Sequence, residues 1–151
     1  MKAKFINPFL NSSLNLFKEY MGINVIPGRP YLNKNAQDLK EISGIIGLAG
    51  ETQGAVVLSF SKETAIRIVS SLSGKKLSAL TNEVTDGVGE LVNIIAGNAK
   101  KDLLEYRIDI SLPGVVTGRE HRINWPTGIP VVTIPFQSEK GDFTVNVSLK
   151  E

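Results

Sequence analysis

The sequence predicts an α+β fold in which a helix-plus-three-strand unit occurs twice, with a mixed β-sheet packed by helices. Three observations carry this expectation. Separate stretches repeat their apolar residues at the 3.6-residue helical spacing, with N-cap and glycine stop signals at their ends. Shorter apolar or alternating stretches, bounded by Gly, Pro and Asn, read as strands. These strands are grouped between helices and do not alternate strictly with them, which favours α+β over a parallel α/β sheet. A chain of 151 residues with 42% apolar and 21% charged residues suits one globular domain, residues 1–151, with a real core.

In sequence order, Asn7 and Pro8 read as the N-cap and first residue of a helix whose apolar stripe is Leu10, Leu14, Phe17 and Met21. Gly22 is placed to end it. Residues 23–26 form a short strand candidate, broken by Pro27-Gly28-Arg29-Pro30, and residues 31–40 are polar and ambiguous. Residues 42–48 and 55–60 read as two strands joined by a hairpin loop through Gly50 and Gly54. Ser61 is the N-cap of a second helix with an apolar stripe of Ala65, Ile66, Val69 and Leu72, and Gly74 ends it. After the third helix, residues 108–112 form a strand closed by Pro113-Gly114. Residues 115–123 read as a strand or an extended loop, and residues 124–128 as a turn. Residues 130–136 and 143–149 complete the strands. In the last, Phe143, Val145, Val147 and Leu149 alternate with Thr144, Asn146 and Ser148. That strand could lie inside the sheet or at a shared edge.

The third helix, beginning after Thr81, is the most informative. Val84, Val88, Leu91, Val92, Ile95 and Ala99 fall within about 60° of one direction on a helical projection. The opposite side collects Asp86, Glu90, Asn93, Gly97 and Lys100. Glu90 and Asn93, three residues apart, are neighbours on that stripe. A glycine inside a helix costs about 1 kcal/mol relative to alanine. Gly97 therefore either clears space for another surface or serves packing within the molecule. Asn98, nearer the apolar side, reads as a hydrogen-bonding residue turned to the core. In the first helix, Ser12 and Asn15 repeat the spacing of Glu90 and Asn93, with the asparagine recurring and the glutamate not.

Other chemistries find little support. A net charge of +2, without a dense basic cluster, does not suggest a nucleic-acid or membrane surface. With no cysteine there is no disulfide, thiolate nucleophile or cysteine-ligated metal. The N-terminal residues do not form a signal-peptide apolar region, and no apolar run reaches the length of a membrane span. A soluble cytoplasmic protein is expected. The single histidine, His121, sits between Glu120 and Arg122 and reads as a solvent-facing strand or loop residue; Trp125, between Asn124 and Pro126, reads as a turn anchor. Neither a G-x-x-x-x-G-K-[ST] phosphate loop nor a G-x-S-x-G nucleophile elbow is present.

The stretch Gly89-Glu90-Leu91-Val92-Asn93-Ile94-Ile95-Ala96-Gly97-Asn98-Ala99-Lys100 resembles the CheC/CheX/FliY family of bacterial chemotaxis phosphatases, and its CheX branch most of all. The hallmark of that family is a glutamate and an asparagine separated by two residues on a helix. The element order is also similar to the family fold, a duplicated helix-plus-three-strand unit. The resemblance implies hydrolysis of the aspartyl phosphate of a CheY-type response regulator, with Asn93 orienting the attacking water and Glu90 pairing with the regulator's lysine. Asp86, Gly97 and Lys100 would be partner-docking positions. The resemblance further implies no cofactor or metal of the protein's own, Mg²⁺ in the partner's active site, and a homodimer. Phe143–Leu149 is compatible with pairing across such a dimer. Many CheC-type members carry two motifs; here the first half offers only Ser12 and Asn15, which leaves one complete site. The alternative is a binding module or scaffold of the same fold that docks a receiver domain without hydrolysing it.

Overall fold

The structure is a computed structural model that describes residues 3–151. Helix α1 (Ala3–Leu14) runs on as a π-helical segment, Asn15–Tyr20. There follow β1 (Val25–Pro27), β2 (Tyr31–Leu32), β3 (Ile42–Gly50), β4 (Gly54–Phe60), α2 (Lys62–Ser73) and α3 (Asn82–Asp102). The last four elements are β5 (Ile108–Ile110), β6 (Gly114–Thr117), β7 (Val131–Ser138) and β8 (Phe143–Leu149).

The strands form one sheet in the order β1-β7-β8-β4-β3-β5, with β2 also on β7 and β6 also on β3. Its pairings are antiparallel, where the sequence suggested a mixed sheet. The duplicated unit is visible in these pairings. Hairpins β3–β4 and β7–β8 meet at the centre through β4 and β8, with Val57 opposite Asn146. Each half then lends a short broken strand to the other half's hairpin. β1 and β2 lie along β7, whereas β5 and β6 lie along β3. Both broken strands are interrupted near prolines, and both gaps are bridged by one backbone bond, Gly28 N–H to Pro135 C=O and Ser111 N–H to Gly47 C=O. Proline has no N–H for the ladder, so a break at an outer strand is the arrangement it permits.

The two faces of the sheet differ because its strands alternate. Val56, Leu58 and Phe60 of β4 and Phe143, Val145 and Val147 of β8 join the core beneath the helices. Phe143 lies 4.7 Å from Phe17, 5.2 Å from Phe60 and 5.1 Å from Phe136, ring centre to ring centre. The opposite face carries Ser43, Ser59, Thr133, Asn146 and Ser148, all buried. Segments 33–40 and 118–129 lie over it. Asn146 accepts from the Thr133 hydroxyl and donates to Val57 C=O, and Gln37 exchanges two bonds with the backbone of Ile123. The Trp125 indole N–H donates to Ala36 C=O, so this residue is the anchor its surroundings suggested.

Three further expectations are corrected here, and the open choice for the last strand is decided. Helix α1 begins before Asn7-Pro8 and holds Pro8 inside it. The amide hydrogen that Pro8 lacks is offset by packing of the first turns, where Phe5, Ile6 and Phe9 join the core and Phe5 stacks on Tyr106. Lys4 bonds Glu105 at 2.7 Å, which raises the Lys4 ammonium pKa above its ordinary value, although the exposed pair adds little stability. Strand β8 lies at the centre of the sheet, flanked by β4 and β7, so it is no edge for a second copy to pair with. His121 is not solvent-facing: its half-buried ring bridges the buried Ser43 hydroxyl and Gly118 C=O, each at 2.8 Å. Finally, β5 stops at Ile110, and Leu112 is 90% exposed.

Candidate functional site

Helix α3 is held from three sides. Its apolar side, Val84, Val88, Leu91, Val92, Ile95 and Ala99, is buried as its periodicity predicted. Against the sheet it sits so close that a methyl group at Gly44 would lie 3.0 Å from Val92 Cγ1 and 3.1 Å from Val88 Cγ1. Against α2, a methyl at Gly87 would lie 2.5 Å from Val69 Cγ1. Against α1, the buried Ser12 hydroxyl donates to Ile95 C=O at 2.8 Å. Close packing on a glycine-smoothed sheet makes this helix a rigid platform for whatever its outer side presents.

That outer side carries the candidate residues. Asp86, Glu90 and Lys100 are exposed, and Asn93 and Gly97 are half-buried. Among the described residues, no internal hydrogen bond or ion pair engages the side chain of Glu90 or Asn93. A carboxylate and a carboxamide are thus displayed side by side with their bonding capacity free. Gly97 has one neighbour for an added methyl, Ile110 Cδ1 at 4.0 Å, which is ordinary contact. Internal packing therefore does not require a glycine there. Gly89, by contrast, sits under β6, where a methyl would lie 3.4 Å from Val115 Cγ2. The Asn93 side of the stripe is bordered by this strand and by Pro113, next to the exposed Leu112.

The other flank holds a feature that sequence reasoning missed. Asn15, Leu16, Tyr20, Ile94 and Asn98 line an open groove of about 330 Å³ between the π-helical segment and α3. Asn98 is exposed in this groove, contrary to its expected inward role. Its apolar neighbours on the helix made it look inward, but α1 crosses at Ile95 and leaves the Asn98 position outside the contact. Ile94 on an otherwise polar side of the helix was the available signal. Ser12 and Asn15 do not make a second site: Ser12 is 4% exposed and committed to Ile95, while Asn15 is exposed at the groove.

Among the described residues no group of three His, Cys, Asp or Glu side chains is placed to hold a metal ion. No helix among them is long and apolar enough to cross a membrane.

Comparison with known proteins identifies the family and fold. The family model "Chemotaxis phosphatase CheX" matches residues 42–137, a span that includes Glu90 and Asn93. A curated relative, CheY-P phosphatase CheX of Thermotoga maritima, is 30% identical over 99% of this chain and 98% of its own length. The crystal structure of a CheC-like superfamily protein from Shewanella sp. PV-4 superposes with a TM-score of 0.90 at 34% identity, covering 100% of both proteins. CheX in a CheX–CheY–BeF₃–Mg²⁺ complex from Borrelia burgdorferi superposes with a TM-score of 0.83 at 27% identity, covering 97% of this chain and 98% of that one. With the family model spanning more than half of the sequence and a full-length relative at 30% identity, the chain belongs to the CheX family of chemotaxis phosphatases.

Proposed function

We propose that this protein dephosphorylates a phosphorylated CheY-type response regulator, with Asn93 as the water-positioning residue and Glu90 as the residue that sets the docking register. One observation carries the assignment of roles: a carboxylate and a carboxamide, free of internal partners, stand together on a helix fixed from three sides. The activity rests on membership of the family, and a relative in that family is a CheY-P phosphatase.

The chemistry suits so spare a site. An aspartyl phosphate is an acyl phosphate and already activated. Hydrolysis forms a bond between the water oxygen and phosphorus and breaks the bond from phosphorus to the carboxylate oxygen. Inorganic phosphate and a free carboxylate are released, and the water protons pass to phosphate oxygens and solvent. Phosphoryl transfer asks the protein mainly for position and charge stabilisation. The Asn93 carboxamide offers a C=O acceptor and an N–H₂ donor. It can hold a water in line with the leaving oxygen while donating toward the phosphoryl group, as a GTPase glutamine does. Fixing the nucleophile recovers part of the large proximity term. The Glu90 carboxylate pairs with a lysine of the partner, a charge-assisted contact that sets register.

Asp86, Gly97 and Lys100 form the fringe of the docked surface, with Gly97 providing clearance for the partner's backbone. Mg²⁺ belongs to the receiver's phosphorylation site, as it accompanies the Borrelia complex. The reaction takes place in the cytoplasm. The protein acts as a homodimer whose contact lies on an outer sheet edge. Ile26, Tyr31 and Leu32 are exposed along β1 and β2, where unpaired backbone groups can meet a second copy.

The test is to follow loss of phosphate from a phosphorylated receiver domain with wild type and with Asn93→Ala. The variant is expected to lose nearly all acceleration while still binding. Equal rates would remove Asn93 from the mechanism, and binding by both without acceleration would establish a docking module in place of an enzyme.

A further inference from the structure

We propose that the groove between the π-helical segment and α3 is a second contact for the docked receiver, one that reads partner identity and does not take part in hydrolysis. The inference rests on the assignment of Glu90 and Asn93 as the docking face. Its occupant is a neutral stretch of receiver backbone, with one aliphatic or aromatic side group, bordering the phosphorylated aspartate.

Three observations place it there. The first is continuity. Ile94 lies about 40° from Glu90 and about 100° from Asn93 on the helical projection, so the groove borders the Glu90 side of the stripe. The second is chemistry. The groove floor is aliphatic, from Leu16 and Ile94, and its rim is Asn15, Asn98 and Tyr20. It contains no ionisable group except the Tyr20 phenol. Two carboxamides can each accept from a backbone amide and donate to a backbone carbonyl. Such a rim suits a neutral peptide segment and carries no cation to form an ion pair with a phosphate or a carboxylate. The third is the helix itself. Residues Asn15–Tyr20 wind as a π-helix, with Met21 N–H bonding Leu16 C=O at 3.0 Å. π-Helical turns are rare and gather at functional sites. This one keeps Leu16 and Phe17 in the core while holding Tyr20 77% exposed at the groove. Tyrosine in that setting is a typical interface anchor, with large contact area and little side-chain entropy to lose.

The experiment uses the full-length protein and a CheY-type receiver domain carrying beryllofluoride and Mg²⁺ for binding, and phosphate for turnover. Tyr20→Ala and Asn98→Asp are the variants, both at exposed positions where folding is undisturbed. Each is expected to raise Kd and KM about 10-fold while kcat at saturation stays within about twofold. Asn93→Ala is expected to do the reverse, losing kcat with Kd nearly unchanged. If both groove variants bind and turn over like wild type while Asn93→Ala is inactive, the groove proposal fails and the site assignment stands. A wild type that neither binds nor hydrolyses the receiver overturns both. A change in oligomeric mass in the groove variants, with Kd for the receiver unchanged, would make the groove a self-contact and also overturn the proposal.

Discussion

The hydroxyl of Ser12 donates to the backbone carbonyl of Ile95 across 2.8 Å, inside the contact between α1 and the helix that presents Glu90 and Asn93. Ser12 and Asn15 share the spacing of Glu90 and Asn93, yet Ser12 is an internal clamp whereas Glu90 is an outward-facing carboxylate. Restoring the motif with Ser12→Glu is therefore expected to give no second site. The carboxylate would enter a position that is 4% exposed and would face Ile95 C=O, an acceptor, without a donor. Urea titration should show a loss of several kcal/mol. Ser12→Ala should cost only about 1 kcal/mol, the net worth of one buried hydrogen bond.

Gly97 separates stability from function. An added methyl meets only Ile110 Cδ1, at 4.0 Å. Gly97→Ala should therefore stabilise the folded protein by up to about 1 kcal/mol through helix propensity. If the glycine exists to let the receiver's backbone approach, the same variant should raise KM several-fold. Denaturant midpoint and KM should thus both increase. A higher midpoint with unchanged KM would remove Gly97 from the docked surface.

Much of this arrangement is legible in the sequence where local rules decide the outcome. Ser61 accepts from Thr64 N–H as an N-cap should, Gly74 ends α2 at φ 73°, and the buried side of α3 is the side its periodicity marks. The duplicated unit follows from element order. Long-range choices were less accessible. Nothing local in Phe143–Leu149 distinguishes a central strand from an edge, since alternation reports two different faces and not how many neighbours a strand has. Pro8 looked like a helix start because its cost is local, whereas its compensation comes from the core and from Tyr106, far along the sequence. The groove was hidden for the same reason. The register at which α1 crosses α3 decides that Ile95 is covered and Asn98 is not.

Gly87 is the counterpart of Gly97 on the same helix. A methyl there would lie 2.5 Å and 2.8 Å from the two terminal carbons of Val69, a β-branched residue fixed in the interface between α2 and α3. Gly87→Ala should destabilise by about 1–3 kcal/mol despite the better helix propensity, because overpacking outweighs it. Gly87→Ala combined with Val69→Ala should recover part of that loss, since the smaller residue removes the clash. A double-mutant cycle in urea measures the coupling, and additive effects would show that the contact is not the cause.

Asn93→Asp tests the chemistry most sharply. The substitution keeps size and acceptor capacity but removes the N–H₂ donor and adds a negative charge. Water could still be accepted by the carboxylate, so a mechanism needing only a base would survive or improve. A mechanism in which the amide positions water and donates toward the phosphoryl group would fail twice. The donor is lost, and an anion faces the phosphate dianion. The expected result is a fall in kcat of about 100-fold or more, the scale seen when a preorganised donor at a developing charge is removed. Beryllofluoride-dependent binding should weaken as well, more at low salt than at high, because the added repulsion is screened. A kcat at or above wild type, rising with pH as the carboxylate ionises, would show general-base chemistry at residue 93. The positioning role would then be wrong, even with the docking role of Glu90 intact.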